Sequence, residues 1–216
     1  MKRKSLTVMF IIAVLPLLAT AADEKKLVAD KVKDLTVLKV IPDDNVMGSK
    51  DAKVVMFEYS SLSCPHCSDF HKQVFPALKK NYIESGKVLY VYRSFPTNRP
   101  ALAGAKLTGC VPKAEYFAML STLFESQSSW AFSENYMTAL LNIAKLGDIP
   151  EAKFKMCQES KQSEDAILKI AMEATNKLQV TGTPTFFING EEISGFRPYS
   201  VFKEVIEKKI AEKSKS

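Results

Sequence analysis

The run Val54-Val55-Met56-Phe57-Glu58-Tyr59 passes through Ser60-Ser61-Leu62-Ser63 directly into Cys64-Pro65-His66-Cys67. A nearly continuous apolar run of this length is a strand covered on both faces of a parallel or mixed sheet. Ser63 is a capping residue type, and Pro65 has the backbone angle favoured in a first helical turn. The chain is therefore expected to leave a buried strand and enter, within a short loop, a helix whose start carries two thiols one turn apart. Along that helix Cys67, Phe70, His71, Val74, Phe75 and Leu78 recur at helical spacing and share one face. His71 reads as a helix-surface or boundary residue. Pro76 removes a backbone hydrogen bond, so the helix should kink or end there.

The rest of the chain fits an α/β domain interrupted by helices. Leu35 to Ile41 reads as an edge strand, ended by Pro42 and the Asp43-Asp44-Asn45 turn cluster. Val88 to Tyr92 is a second buried strand, closed by Phe95-Pro96 and Asn98-Arg99-Pro100. From Ala101 to about Leu178 helical periodicity takes over, with helices expected near 101–110, 113–125, 134–146, 150–159 and 163–178. The stripe Tyr116, Met119, Leu120, Leu123 and Phe124 and the set Met137, Leu140, Leu141 and Ala144 are expected in the core. Strand signals return at Thr183 to Ile188, followed by the hairpin turn Asn189-Gly190, the partner strand Glu191 to Ser194, and an amphipathic helix from Tyr199 to about Ala211.

The first residues are read as an export signal. Lys2-Arg3-Lys4, the run Leu6 to Leu18 and the small residues Ala19-Thr20-Ala21 are the three zones of a secretory signal peptide, assigned to residues 1–21. The apolar run is shorter than the roughly 20 residues of a membrane-spanning helix, and Pro16 interrupts it. Removing the segment's three basic residues lowers the formal net charge from +6 to +3. No cluster of Lys and Arg with interleaved aromatics is present, so nucleic-acid binding has nothing to rest on.

Four cysteines in an exported chain favour disulfides. Cys64 and Cys67 close a loop too short to staple a fold and look chemical. Cys110 and Cys157 look structural: a bridge between them would be worth roughly 4 kcal/mol on a chain-entropy estimate, the other reading being two buried free thiols. Half a zinc site is the competing reading of Cys64 and Cys67. With two histidines and no second Cys-x-x-Cys, no metal is expected.

In disulfide exchange the thiolate is the nucleophile and the leaving group. At a helix N-terminus, unpaired N–H groups and the positive end of the helix dipole face the Cys64 sulfur, and His66 adds a polar neighbour. A stabilised Cys64 thiolate favours the reduced form and makes the disulfide an oxidant; Cys67 is then the resolving thiol. Glu58, six residues before Cys64, is a candidate to relay the proton that Cys67 gains or loses, or else an acid on a solvated strand face.

These residues carry a resemblance. Cys64-Pro65-His66-Cys67, the acid six residues earlier, the helical insertion and Val180-Thr181-Gly182-Thr183-Pro184-Thr185 together resemble the DsbA family of periplasmic thiol-disulfide oxidoreductases, over essentially the whole mature chain. The resemblance implies an α/β thioredoxin fold, a mixed central sheet flanked by helices. Its thioredoxin-like domain is residues 22–98 and 179–216, with an inserted helical domain at 99–178. It further implies a cis peptide bond at Thr183-Pro184 facing the dithiol, with Thr183 and Pro184 presenting substrate. Cys110 and Cys157 resemble the second disulfide of a subgroup of such proteins. No cofactor beyond the redox-active disulfide is implied. The resemblance implies reduced or unfolded secreted proteins as substrates and a membrane quinone-linked oxidase that restores the disulfide, and a periplasmic monomer is expected. Threonine rather than valine precedes Pro184, as in related isomerases, so the alternatives are an isomerase or reductase, or a non-catalytic binding module on the same fold.

Overall fold

The computed structural model describes residues 33–214; the export signal assigned to residues 1–21 lies outside them. Among these residues five strands form one mixed sheet: β1 (Asn45–Met47), β2 (Val54–Ser60), β3 (Val88–Ser94), β4 (Thr185–Ile188) and β5 (Glu191–Ser194), in the order β1-β3-β2-β4-β5. β2 and β3 run parallel, and every other pairing is antiparallel. β2 is central, which is why its sequence is apolar on both faces. Among the described residues nine helices surround the sheet. α1 (Pro65–Gln73) and α2 (Phe75–Leu78, continued by a π turn at Lys79–Ile83) join β2 to β3. Between β3 and β4 come α3 (Arg99–Thr108), α4 (Tyr116–Glu125), α5 (Gln127–Trp130), α6 (Tyr136–Leu146), α7 (Glu151–Glu159) and α8 (Lys161–Leu178). α9 (Tyr199–Ser214) follows β5. This is the expected mixed sheet flanked by helices, with a helical block inserted between two of its strands.

Helix boundaries follow local chemistry. Asn98 and Ser160 cap α3 and α8 by accepting from the N–H groups of Ala101 and Ser163, at 2.9 and 3.1 Å. Pro76 ends one helix and opens the next: α1 stops at Gln73, and Pro76 falls in the first turn of α2, where its missing N–H costs nothing. At the β4–β5 turn Asn189 and Gly190 both adopt positive φ, 45° and 87°. The Asn189 side chain accepts from Val55 N and donates to Lys53 O, tying that hairpin to β2.

Two apolar layers sandwich the sheet. Phe57, Tyr59, Leu89, Val91 and Phe187 pack under Ala174 and Leu178 of α8. On the opposite face Met56, Tyr90, Tyr92, Phe186 and Ile188 meet Cys67 and Phe70 of α1, Phe202 and Ile206 of α9, and the buried residues of the inserted helices in one continuous core. Glu58 and Ser60 belong to this second face by strand alternation.

Two expectations are corrected. Leu35 to Ile41 is not an edge strand but a 3-10 turn (Leu35–Val37) followed by irregular chain, and the edge strand is β1, which starts at Asn45, the last residue of the turn cluster. The cause is Arg93: its guanidinium donates to Val37 O, Lys39 O and Asp44, so those carbonyls are taken by a buried side chain rather than by a neighbouring strand. Met137 is 38% exposed and outside the core, whereas Leu140 and Ala144 of the same set are fully buried. Of the two readings of His71, helix-surface or boundary, the boundary one holds: the residue is half-buried and its side chain is turned into the site.

Candidate active site

Cys64 is the N-cap of α1, with extended backbone (φ −84°, ψ 121°) and Pro65 directly after it. It is half-buried, while Cys67, one turn on, is fully buried; both are free thiols. The loop before them is held from several sides. Ser61 shares hydrogen bonds with Ser63 and Thr97, and Gln127 of α5 donates to both Leu62 O and Cys64 O, at 2.8 and 2.9 Å. Ser68 of α1 donates to Phe124 O at 2.9 Å. A side chain at Gly104 of α3 would place its Cβ 3.0 Å from Trp130 and 3.1 Å from Leu62, so glycine there lets the inserted helices close onto the active-site loop.

Across from Cys64 lies the cis peptide Thr183-Pro184. The Cys64 thiol donates to Thr183 O at 3.3 Å, so Cys64 and the turn before β4 meet although Cys64 and Thr183 are 119 residues apart in sequence.

The two thiols are driven in opposite directions. Cys64 is pulled down to about 5, chiefly by the hydrogen bond from the Cys67 thiol, helped by the Thr183 side chain and by the backbone N–H groups of Cys67 and His66, with burial opposing. Cys67 is pushed well up, first by burial and then by giving its hydrogen bond to Cys64 and facing that sulfur's charge. The Ser60 hydroxyl opposes this rise. Ser60 Oγ is buried and makes no fixed hydrogen bond, which leaves it free to turn toward the Cys67 sulfur. His66 contributes through its backbone; its imidazole is 69% exposed and 3.8 Å from Asp69.

Glu58 is completely buried, not on a solvated face. Each carboxylate oxygen has one partner: His71 Nε2 at 2.9 Å from Oε1, and Tyr90 OH at 2.6 Å from Oε2. The His71 side chain is only 6% exposed and stacks on Phe124 at 4.0 Å. Helical spacing did place His71 on the apolar face with Cys67 and Phe70; its role was missed because the carboxylate it meets lies thirteen residues away on another element. Gln127 and Tyr90 carried no sequence signal. Among the described residues no group of His, Cys, Asp and Glu could hold a metal ion, and no described helix is long and apolar enough to cross a membrane.

Cys110, just beyond the end of α3, and Cys157 in α7 are paired in the structure, their Cα atoms 6.0 Å apart, within the range a disulfide spans.

The profile of the family described as thioredoxin matches residues 41–208. The chain belongs to the thioredoxin family. Within it, this thioredoxin-fold protein is DsbA-like. The crystal structure of alpha-DsbA1 from Wolbachia pipientis is 34% identical in sequence, superposes with a TM-score of 0.77, and matches over 82% of this chain and 95% of that one. A Rickettsia felis protein provisionally named a protein-disulfide oxidoreductase is 33% identical over 73% of this chain, and the match spans 57% of that protein's length. Disulfide bond formation protein D of Bacillus subtilis is 26% identical over 76% of each chain.

Proposed function

We propose that the protein is an exported thiol-disulfide oxidoreductase that introduces disulfide bonds into reduced secreted proteins. The observation that carries this reading is the asymmetry of the dithiol: a half-buried Cys64 whose thiolate is favoured, beside a buried Cys67 whose thiolate is not. A substrate thiolate attacks Cys64 of the oxidised enzyme, the Cys64–Cys67 bond breaks, and the electron pair leaves on Cys67, which takes up a proton. The substrate's second thiolate then attacks the substrate sulfur of the mixed disulfide. Cys64 departs as a thiolate, so two electrons have moved from the substrate dithiol to the enzyme. A stable Cys64 thiolate makes that last step favourable and the reduced enzyme comfortable.

In this reading Cys64 exchanges, Cys67 resolves, and Glu58 stores the proton for Cys67. His66 tunes Cys64, and Thr183 and Pro184 present an extended substrate segment beside the Cys64 sulfur. Residues 22–98 and 179–216 form the thioredoxin-like domain, residues 99–178 the inserted helical domain, and Cys110–Cys157 a structural disulfide. The name of the Bacillus subtilis relative supports a role in disulfide formation. The export signal read at residues 1–21 supports a periplasmic location; in this reading the protein acts as a monomer and a membrane quinone-linked oxidase restores its disulfide.

The deciding measurement is the equilibrium of the Cys64–Cys67 pair against glutathione buffers. The pair is expected to stay reduced in buffers that keep ordinary structural disulfides oxidised. A poise close to that of cytosolic reductants refutes the oxidase reading, and Thr183 before Pro184 then favours a reductase or isomerase.

A further inference from the structure

Glu58 has no direct path to water. It is fully buried, and of its two partners Tyr90 is itself completely buried, with its phenol pushed well up by burial and so locked in the protonated form. The other partner, His71, differs in one respect. Besides bonding Glu58, it lines a groove of about 540 Å³ between the α1–α2 segment and α4, walled by Phe75, Phe117 and Leu120 beside Lys72, Lys79 and Glu125. Imidazole is the side chain that binds and releases protons in the physiological range, and its two nitrogens let it take a proton on one side and give it up on the other.

We propose that His71 is the conduit through which Glu58 exchanges its proton with solvent in this groove, and that it thereby sets how fast Cys67 can lose or gain its proton. The proposal rests on the reading of Glu58 as the proton store for Cys67. His71 touches neither substrate nor sulfur and acts only through Glu58. The titratable and charged groups around it are Glu58 of β2, Tyr90 and Tyr92 of β3, and Tyr116 and Glu125 of α4, with Cys67, Lys72 and Lys79 on its own helical segment. Tyr90, Tyr92 and Tyr116 are all raised by burial, so none of them competes for the proton at neutral pH.

The step that isolates the conduit is ring closure with glutathione disulfide as oxidant. Cys64 first takes up one glutathione. Cys67 then loses its proton to Glu58 and onward through His71, its thiolate attacks the Cys64 sulfur, the intramolecular disulfide forms, and the electron pair leaves as glutathione thiolate. Acid-quenched samples separated by mass report both steps. In His71→Gln the first step is expected to run at the wild-type rate, and ring closure to slow on the order of 10²-fold at pH 7, the lower end of what positioned proton transfer contributes. Its pH profile should change likewise, and Glu58→Gln should show the same defect. Added imidazole, small enough for the groove, is expected to speed ring closure in His71→Ala and not in the wild type.

Wild-type ring closure in His71→Gln, with Glu58→Gln slow, overturns the conduit and leaves the Glu58 reading standing. Wild-type ring closure in both overturns the Glu58 reading and the conduit with it. A slow His71→Ala that imidazole does not help, with normal closure in His71→Phe, assigns His71 to packing on Phe124 and also overturns the proposal. Should His71→Ala not fold, the rate and pH profile of His71→Gln decide alone.

Discussion

Acidifying the reduced protein from pH 7 to pH 5 will destabilise it, and the loss will trace to one sulfur. The Cys64 thiol sits at about 5 in the folded protein against an ordinary value of 9.0, so between those limits the unfolded chain holds a proton that the folded chain has released. The folded value is the depressed one. Its stabilisation is therefore complete above pH 9 and is lost as pH falls through 5. Taken at face value, the fall from pH 7 to pH 5 removes about 2.3 kcal/mol. The Cys64 sulfur is half in water, and screening brings the expected loss to about 1–1.5 kcal/mol. For a chain of this size that is a fall of roughly 2–6 °C in melting temperature. Cys67 adds nothing in this window, because its raised value lies on the far side of the ordinary thiol range and matters only above about pH 9. The assay is thermal unfolding of the reduced protein at pH 5 and 7, beside Cys64→Ser and the oxidised protein, in which Cys64 does not titrate. The ultraviolet absorbance of the thiolate gives the midpoint independently. Equal slopes in all three proteins, or an absorbance midpoint near the ordinary thiol value, refute the reasoning.

The remaining predictions concern the frame around the dithiol. Gln127→Leu strips two carbonyls of the active-site loop of their donor and should cost about 1–3 kcal/mol in urea unfolding; an unchanged midpoint shows that the loop does not depend on α5. Peptide mapping of the unreduced protein should yield a linked Cys110–Cys157 fragment, and replacing both cysteines by alanine should lower stability by about 4 kcal/mol for the 47-residue separation; two free thiols in the map refute the staple.

Much of the sheet was legible because strand signals in this chain are local. Val54 to Ser60 and Val88 to Ser94 are covered on both faces and read as apolar runs, and Asn189-Gly190 marks its hairpin by the positive φ it needs. The helical insertion was legible for the same reason, since each helix carries its own periodicity and most boundaries came within a few residues. Leu35 to Ile41 misled because its mostly apolar, β-branched run looks like a strand, while what fixes its carbonyls is Arg93, more than fifty residues on. Met137 misled because its spacing matched the core stripe of Leu140 and Ala144, which is covered there but not at Met137.

Cys64-Pro65-His66-Cys67 by itself determined that a dithiol stands at the start of a helix after a buried strand, because proline, capping serine and apolar pattern act within a few residues of one another. It also determined which thiol faces the helix end and which lies a turn inside. The tertiary structure alone decided what surrounds that dithiol: Thr183 beside Cys64, Gln127 across the loop, and Glu58 buried between His71 and Tyr90. The physical reason is that burial and hydrogen bonding act through distances of about 3 Å in space. Residues that meet at that range come from five separate parts of the chain, and nothing in the order of the chain records it.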